Sequence, residues 1–217
     1  MISQRNIFSP WWFTDKVIRK FLRLSVPYLK GRLLDAGCGK KPYEALFECD
    51  EYVGIEMLDT HNPDVVGDVR NMDMFEDSSF DSVLSNQVIE HVDEPKKVVS
   101  EMHRVLKPGG YLCVTVPFIS RLHGMPHDYW RYSISGLAHL LEEHHFEVVL
   151  IEPMGGFLTT QCFLWNFYLY ERSARFKPLR ALYKLSLVLL NPLYLLMHAI
   201  DRDTTTPFNY IAIAKKL

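Results

Sequence analysis

Two stretches of this 217-residue chain hold residues whose types and spacing could do chemistry. The first is Leu33-Leu34-Asp35-Ala36-Gly37-Cys38-Gly39. Two leucines run into an acid, and the acid runs into Gly-x-Gly. Glycines at such a turn let backbone approach a ligand where a Cβ would collide. Strand, glycine turn and helix is the arrangement of nucleotide sites in doubly wound α/β sheets, with the ligand above the carboxyl ends of the strands. A dinucleotide site would want G-x-G-x-x-G, with a pyrophosphate on the helix N-terminus. Here Lys40, Lys41 and Pro42 follow Gly39. A carboxylate at Asp35 would be awkward beside a pyrophosphate and useful beside a cation, which disfavours a nicotinamide oxidoreductase.

The second stretch, 117–133, gathers His123, His127, Asp128, Tyr129, Trp130 and Arg131. Loops at the carboxyl end of a parallel sheet carry chemistry. A histidine there can act as a base near neutral pH for a hydroxyl nucleophile. His127, with Asp128 as its orienting partner, or else His123, is the candidate catalytic base. The alternative is that Asp128 and Arg131 pair and pin the loop. No metal is expected: His123, His127 and Asp128 give no strict helical pair with a third ligand.

The elements that must position these groups follow from periodicity. Residues 1–30 suggest a helical lead-in with Val17, Ile18, Phe21, Leu22, Leu24 and Leu29 on its apolar face. Trp11, Trp12 and Phe13 ahead of it either cap the core or form a lid. A helix is expected over 43–47 with Pro42 in its first turn. Strands are expected at Glu51–Glu56, 65–69, Phe80–Asn86 and 111–116, then at Phe146–Met154 and Asn209–Lys216. Asp93-Glu94-Pro95 opens a helix, with Asp93 as N-cap, and Lys107-Pro108-Gly109-Gly110 closes it. Ser133 caps another. Glu56 ends the second strand about 20 residues after the glycine turn, where such a fold sets a carboxylate on ribose hydroxyls.

Composition limits the alternatives. Hydrophobic residues make up 48% and aromatics 13%, enough for a packed core. The net charge of −2 offers no basic field, and no nucleic-acid partner is expected. The four cysteines are scattered without C-x-x-C, which suits reduced thiols in the cytoplasm. No apolar segment of signal-peptide length opens the chain.

Asp35-x-Gly37-x-Gly39 resembles motif I of the class I S-adenosylmethionine (SAM) methyltransferases, whose ligand carries a sulfonium and an ammonium. Phe80-Asp81 through Glu90-His91, and Leu106-Lys107-Pro108-Gly109-Gly110 with its strand, resemble further segments of that family. The resemblance runs over roughly 31–117 in the family's order; Lys40-Lys41-Pro42 departs from its commoner Thr/Ser-Gly. It implies a Rossmann-like, seven-stranded doubly wound α/β sheet with the last strand antiparallel. It implies SAM as cofactor and S-adenosylhomocysteine as product. Implied cofactor contacts are Asp35, Gly37, Cys38 and Gly39 at the turn, Glu56 and Met57 at the ribose, and Asp68 and Val69 at the adenine. Asn86 and Gln87 would face the methionine part. His91 either lines the site or holds a turn. His123 through Tyr132 resembles a type 11-like bacterial subgroup associated with cell-surface glycan pathways.

Between the sixth and seventh strands, 155–208 forms an apolar helical insertion. Its length approaches a transmembrane span, but Lys184, Asn191, Pro192 and His198 interrupt it. A single crossing would also leave the last strand on the wrong side of the membrane. Either the segment, through 157–200, makes peripheral contact with the inner face of a membrane, or it forms a cap or dimer surface. The expectation is one methyltransferase domain over 1–217, with 1–30 as its lid. It would methylate a saccharide hydroxyl on a small or lipid-linked acceptor. The alternatives are a quinone-like or lipid acceptor, and a non-catalytic SAM-binding scaffold.

Overall fold

A computed structural model describes residues 6–217; the first five residues of the expected lead-in lie outside them. The strands are β1 (Arg32–Ala36), β2 (Glu51–Glu56), β3 (Val65–Val66), β4 (Phe80–Asn86), β5 (Leu106–Pro117), β6 (Phe146–Met154) and β7 (Asn209–Lys216). The α-helices are α1 (Trp12–Leu22), α2 (Pro95–Val105), α3 (Ile134–Glu143), α4 (Phe157–Ser173) and α5 (Lys177–Ile200). All seven strands join one sheet of order β3-β2-β1-β4-β5-β7-β6, with β7 antiparallel. β1 pairs in parallel with β2 and β4, so Asp35 lies level with Gly54 on one side and Leu84 on the other. Central parallel strands are covered on both faces and read as continuous apolar runs. Leu33, Leu34, Ala36, Val83 and Leu84 are accordingly all buried.

The chain divides into two compact units. One comprises 22–118, 122–152 and 210–217. In it, α2 buries Val98, Val99, Met102 and Val105, a helical stripe against the core. Glu94, not Asp93, occupies its N-cap, and Pro95 opens the first turn. Asp93 is drawn away by Arg70, whose Nη1 donates to it at 2.8 Å. α3 begins at Ser133, whose hydroxyl accepts the Gly136 N–H at 3.2 Å.

Three expected elements are shorter. Among the described residues the lead-in is an α-helix only at Trp12–Leu22, so Leu24 and Leu29 lie beyond it. The helix over 43–47 is a single 3₁₀ turn, Glu44–Leu46. So few residues between the glycine turn and β2 cannot recover the cost of helix nucleation. The strand over 65–69 is only Val65–Val66. Beyond it the chain turns back, Asp68 bridges to Asn71, and Arg70 donates from Nε and Nη2 to the Asp68 carboxylate.

The other unit comprises the described part of 1–21 with 119–121 and 153–209. Trp11 packs edge-on against Phe167 and Tyr170, and Phe13 lies against Tyr194. Two of the polar residues that interrupt α5 in sequence, Asn191 and His198, bond within the unit. Asn191 is fully buried and its amide donates to the Ile7 carbonyl at 2.7 Å. His198 Nδ1 lies 3.1 Å from Thr159 Oγ1. The outward face of α5 is left with exposed Leu182, Leu185, Leu189, Leu193, Leu196 and Ile200.

The N-cap of α4 is Gly156, which has no side chain to offer. Asp201, just beyond α5, supplies the missing carboxylate. Its Oδ2 accepts from Gly156 N–H (2.9 Å), Thr159 N–H (2.8 Å) and Thr159 Oγ1–H (2.6 Å). Burial pushes the Asp201 carboxyl up, but these hydrogen bonds outweigh it and hold it below its ordinary value. Asp201→Ala is expected to cost about 1–2 kcal/mol, the scale of a lost cap. A depressed folded pKa stabilises above the unfolded value of about 3.9 and loses that contribution as pH falls through the folded one. The gap between wild type and variant in urea unfolding should therefore be full near pH 7 and close at strongly acidic pH.

Candidate active site

The carboxyl ends of β1, β2 and β4 frame a cavity of about 410 Å³. Gly37 enters it from the turn after β1, and Glu56 and Met57 from the end of β2. Val69 and Arg70 come from the turn after β3, and Gln87 and His91 from the segment after β4. His127 and Tyr129, of the loop after β5, complete this part of the lining.

Gly37 adopts φ +80°, and a Cβ there would lie 2.5 Å from Val88 Cγ2. Glycine is required on both counts. The Glu56 carboxylate ties the ends of β1 and β2 together, accepting the Gly39 N–H at 3.0 Å and the Met57 N–H at 2.9 Å. After β4 the chain reverses at Gln87, a non-glycine residue at φ +57°. Its N–H donates to the Thr115 carbonyl and hydroxyl, both at 3.1 Å, and its side-chain amide reaches the same hydroxyl. These bonds offset the cost of the left-handed conformation.

Five expected cofactor contacts do not line the cavity. Asp35 is buried, and Tyr52 Oη–H donates to its Oδ2 at 2.6 Å. Burial pushes its pKa up to about 7, against the Tyr52 hydrogen bond and the Lys41 charge, which pull it down. Cys38 is buried against Gly54, and burial pushes its thiol up to about 12, so it is no nucleophile. Gly39 acts through its N–H on Glu56. Asp68 is chelated by Arg70, whose hydrogen bonds hold it below the usual carboxylate range. Asn86 Oδ1 accepts from Thr115 Oγ1–H at 2.8 Å.

The loop after β5 is fastened to the segment after β4. Tyr129 N–H and Trp130 N–H both donate to the Glu90 carbonyl, at 2.9 and 3.3 Å, and Trp130 Nε1–H donates to the Val92 carbonyl at 2.9 Å. Gly124, at φ +67°, lets the loop pass against the His91 ring, 2.7 Å from where a Cβ would sit. Asp128 does not orient His127. It takes two hydrogen bonds from Arg131, at 2.6 and 2.8 Å, which hold it well below its ordinary pKa. It also accepts the His123 N–H at 2.8 Å. The partner of His127 Nδ1 is instead the Tyr129 hydroxyl, at 3.1 Å. His123 does not line the cavity; its ring stands edge-on to His91, centroids 4.7 Å apart.

Sequence reasoning assigned no role to Arg70, Tyr129 or Glu90. Asp68, two residues before Arg70, was a visible neighbour; Asp93, 23 residues away in sequence, was not, and Arg70 holds both. Glu90 is fully buried.

Residues 34–114 match the family described as a methyltransferase domain. Phosphoethanolamine N-methyltransferase 2 of Caenorhabditis elegans is 31% identical over 87 residues, which are 40% of this chain and 19% of that protein. A SAM-dependent methyltransferase structure from Archaeoglobus fulgidus superposes with TM-score 0.60 at 18% identity, covering 93% of this chain and 94% of that one. The Haemonchus contortus phosphoethanolamine N-methyltransferase 2 structure, in complex with SAM, gives TM-score 0.55 at 17% identity over 98% of this chain and 58% of that one. The chain thus spans only part of the relatives named for phosphoethanolamine. Sheet order and strand-end cavity are those of the Rossmann-like α/β fold, and the segment 34–114 within it is similar to a methyltransferase domain.

The raised pKa of Asp35 has a measurable sign. Folded Asp35 keeps its proton to higher pH than the unfolded chain, so stability falls as pH rises from about 4 to about 7. Asp35→Asn retains an acceptor for Tyr52 and removes the charge. It should equal wild type below about pH 4 and exceed it at pH 8 in denaturant unfolding; parallel pH profiles would show a carboxylate ionised throughout.

Proposed function

We propose that the protein transfers the methyl group of SAM to a hydroxyl of a small or lipid-linked acceptor, with a saccharide hydroxyl as the preferred class. The observation that carries this reading is that one cavity is lined by Glu56 and Val69, the residues expected at ribose and adenine, and by His127 of the loop after β5. Methyl transfer is a displacement at carbon, so the enzyme has mainly to hold nucleophile and methyl in line, dry and close. His127 takes the hydroxyl proton as the oxygen bonds to the methyl carbon. The carbon–sulfur electron pair leaves with sulfur, giving S-adenosylhomocysteine, and His127 later returns its proton to water.

Calorimetry with SAM, followed by labelled methyl transfer to extracted lipid-linked saccharides, tests this. Wild type should bind SAM in the micromolar range, and Gly37→Ala at least about tenfold more weakly, a loss of about 1.4 kcal/mol. His127→Ala should lower kcat by about 10²–10⁴-fold. A C- or N-methylated product would move the acceptor to the quinone-like or amine class, the latter in line with the name of the worm relative. Tight SAM binding with no turnover on any acceptor would leave a scaffold.

A lipid-linked acceptor is supported by α5, which is long and apolar enough to cross a membrane. β6 and β7, on either side of the α4–α5 segment, share one sheet, which argues against a single crossing and for an interfacial helix. Lys177, Arg180 and Lys184 near its start suit anionic headgroups. The protein should float with anionic vesicles, and the double variant Leu185→Glu/Leu189→Glu should not. Wild type remaining wholly in the soluble fraction would favour a cap or dimer surface.

A further inference from the structure

Beneath the loop after β5, Glu90, His91 and His123 bring one oxygen and two ring nitrogens within 4.8 Å of one another. Glu90 is fully buried, and neither of its carboxylate oxygens accepts a hydrogen bond from a described residue. A buried carboxyl group in that position is costly unless a cation or donor faces it. What faces it are two imidazole nitrogens, His91 Nε2 and His123 Nε2, each 3.8 Å from the same oxygen, Oε1.

The other nitrogens of these rings settle which atoms are offered. His91 Nδ1 lies 2.6 Å from the His127 carbonyl, which can only accept, so the proton sits on Nδ1. In the neutral ring Nε2 is then a bare lone pair directed toward an acid, acceptor facing acceptor. His123 Nδ1 lies 3.7 Å from Asp128 Oδ2, and Asp128 also takes the His123 N–H. For His91, a carbonyl behind Nδ1 with Nε2 presented forward is the outer-shell pattern of metal-ligating histidines. Four-coordinate zinc with ligands at about 2.0–2.1 Å needs them about 3.3–3.4 Å apart; each imidazole would close on the carboxylate by about half an ångström from 3.8 Å, and the two ring nitrogens would close on each other from within 4.8 Å.

We propose that Glu90, His91 and His123 bind a divalent cation of the zinc type, whose open position takes an oxygen of the methyl acceptor. Two histidines and one carboxylate with a free coordination position is a catalytic rather than a closed structural set. His91 belongs at once to this set and to the cavity lining, so a bound oxygen would be presented at the cavity. Coordination lowers the pKa of a bound hydroxyl, which eases proton transfer to His127. The acceptor would accordingly be a hydroxylated compound; this last step rests on the methyltransferase reading, the cation site does not.

The test uses the full-length protein without a histidine tag, freed of metal with a chelator and titrated with Zn²⁺ by calorimetry and with Co²⁺ by visible absorption. Wild type should take up one equivalent of Zn²⁺ and develop intense cobalt d–d bands, both lost in His123→Ala and in Glu90→Gln. Circular dichroism checks that each variant is folded, and the partly exposed His123 serves if the buried Glu90→Gln is not. No saturable uptake by wild type would overturn the proposal. Uptake unchanged in both folded variants would overturn it too, because the cation would then sit elsewhere. SAM calorimetry on the metal-free protein separates the two readings: SAM binding without metal uptake removes only the cation site, and metal uptake without SAM binding removes the cofactor.

Discussion

The left-handed turn at Gln87 is the constraint on which the candidate site depends. A strand that continued straight from Asn86 would carry the chain past the ends of its neighbours. Thr115 on β5 prevents this by binding the Gln87 N–H and side-chain amide together. The reversal sets Val88 against Gly37, brings His91 to the cavity, and presents the Glu90 carbonyl to two N–H groups of the loop after β5. The glycine turn after β1 and the loop after β5 thus share one support. A residue in sparsely populated φ/ψ space, over-determined by its neighbours, is where a fold stores the geometry its chemistry needs.

What could be read from the sequence was what is written locally. The glycine turn, the alternation of strands with helices and the buried stripe of α2 each depend on residues a few positions apart, and each stands in the fold. The choices among partners were not local. Asp128 had two plausible neighbours in sequence, His127 and Arg131; the guanidinium three residues on offers a planar two-point match that an imidazole lacks. Asp35 was placed at the cofactor by the D-x-G-x-G resemblance, which says nothing of its neighbour across the sheet, Tyr52, whose hydroxyl bonds it. Glu90 looked like half of a motif, and only the approach of His123 from a distant loop gives it an environment.

The same distinction applies to α5. Lys184, Asn191, Pro192 and His198 made the run look like an imperfect membrane span. Asn191 and His198 in fact serve the interior of their own unit, bonding to Ile7 and Thr159, and leave the leucines outside. With Tyr183, Leu187 and Tyr194 buried beside Asn191, α5 is apolar inside as well as outside, unlike the ordinary amphipathic helix whose outer face is polar. A surface of that kind calls for an apolar neighbour.

The place of β7 has a bearing on how the protein is made. It lies between β5 and β6, so the last strand in chain order is an inner strand of the finished sheet. Until it is synthesised, β5 and β6 present open edges, and the long α4–α5 segment must emerge first. Such unpaired edges invite pairing with other chains. On the ribosome this protein would therefore pass through a lengthy half-closed stage, during which an exposed β5 edge and the leucine face of α5 emerge before the residues that complete the sheet.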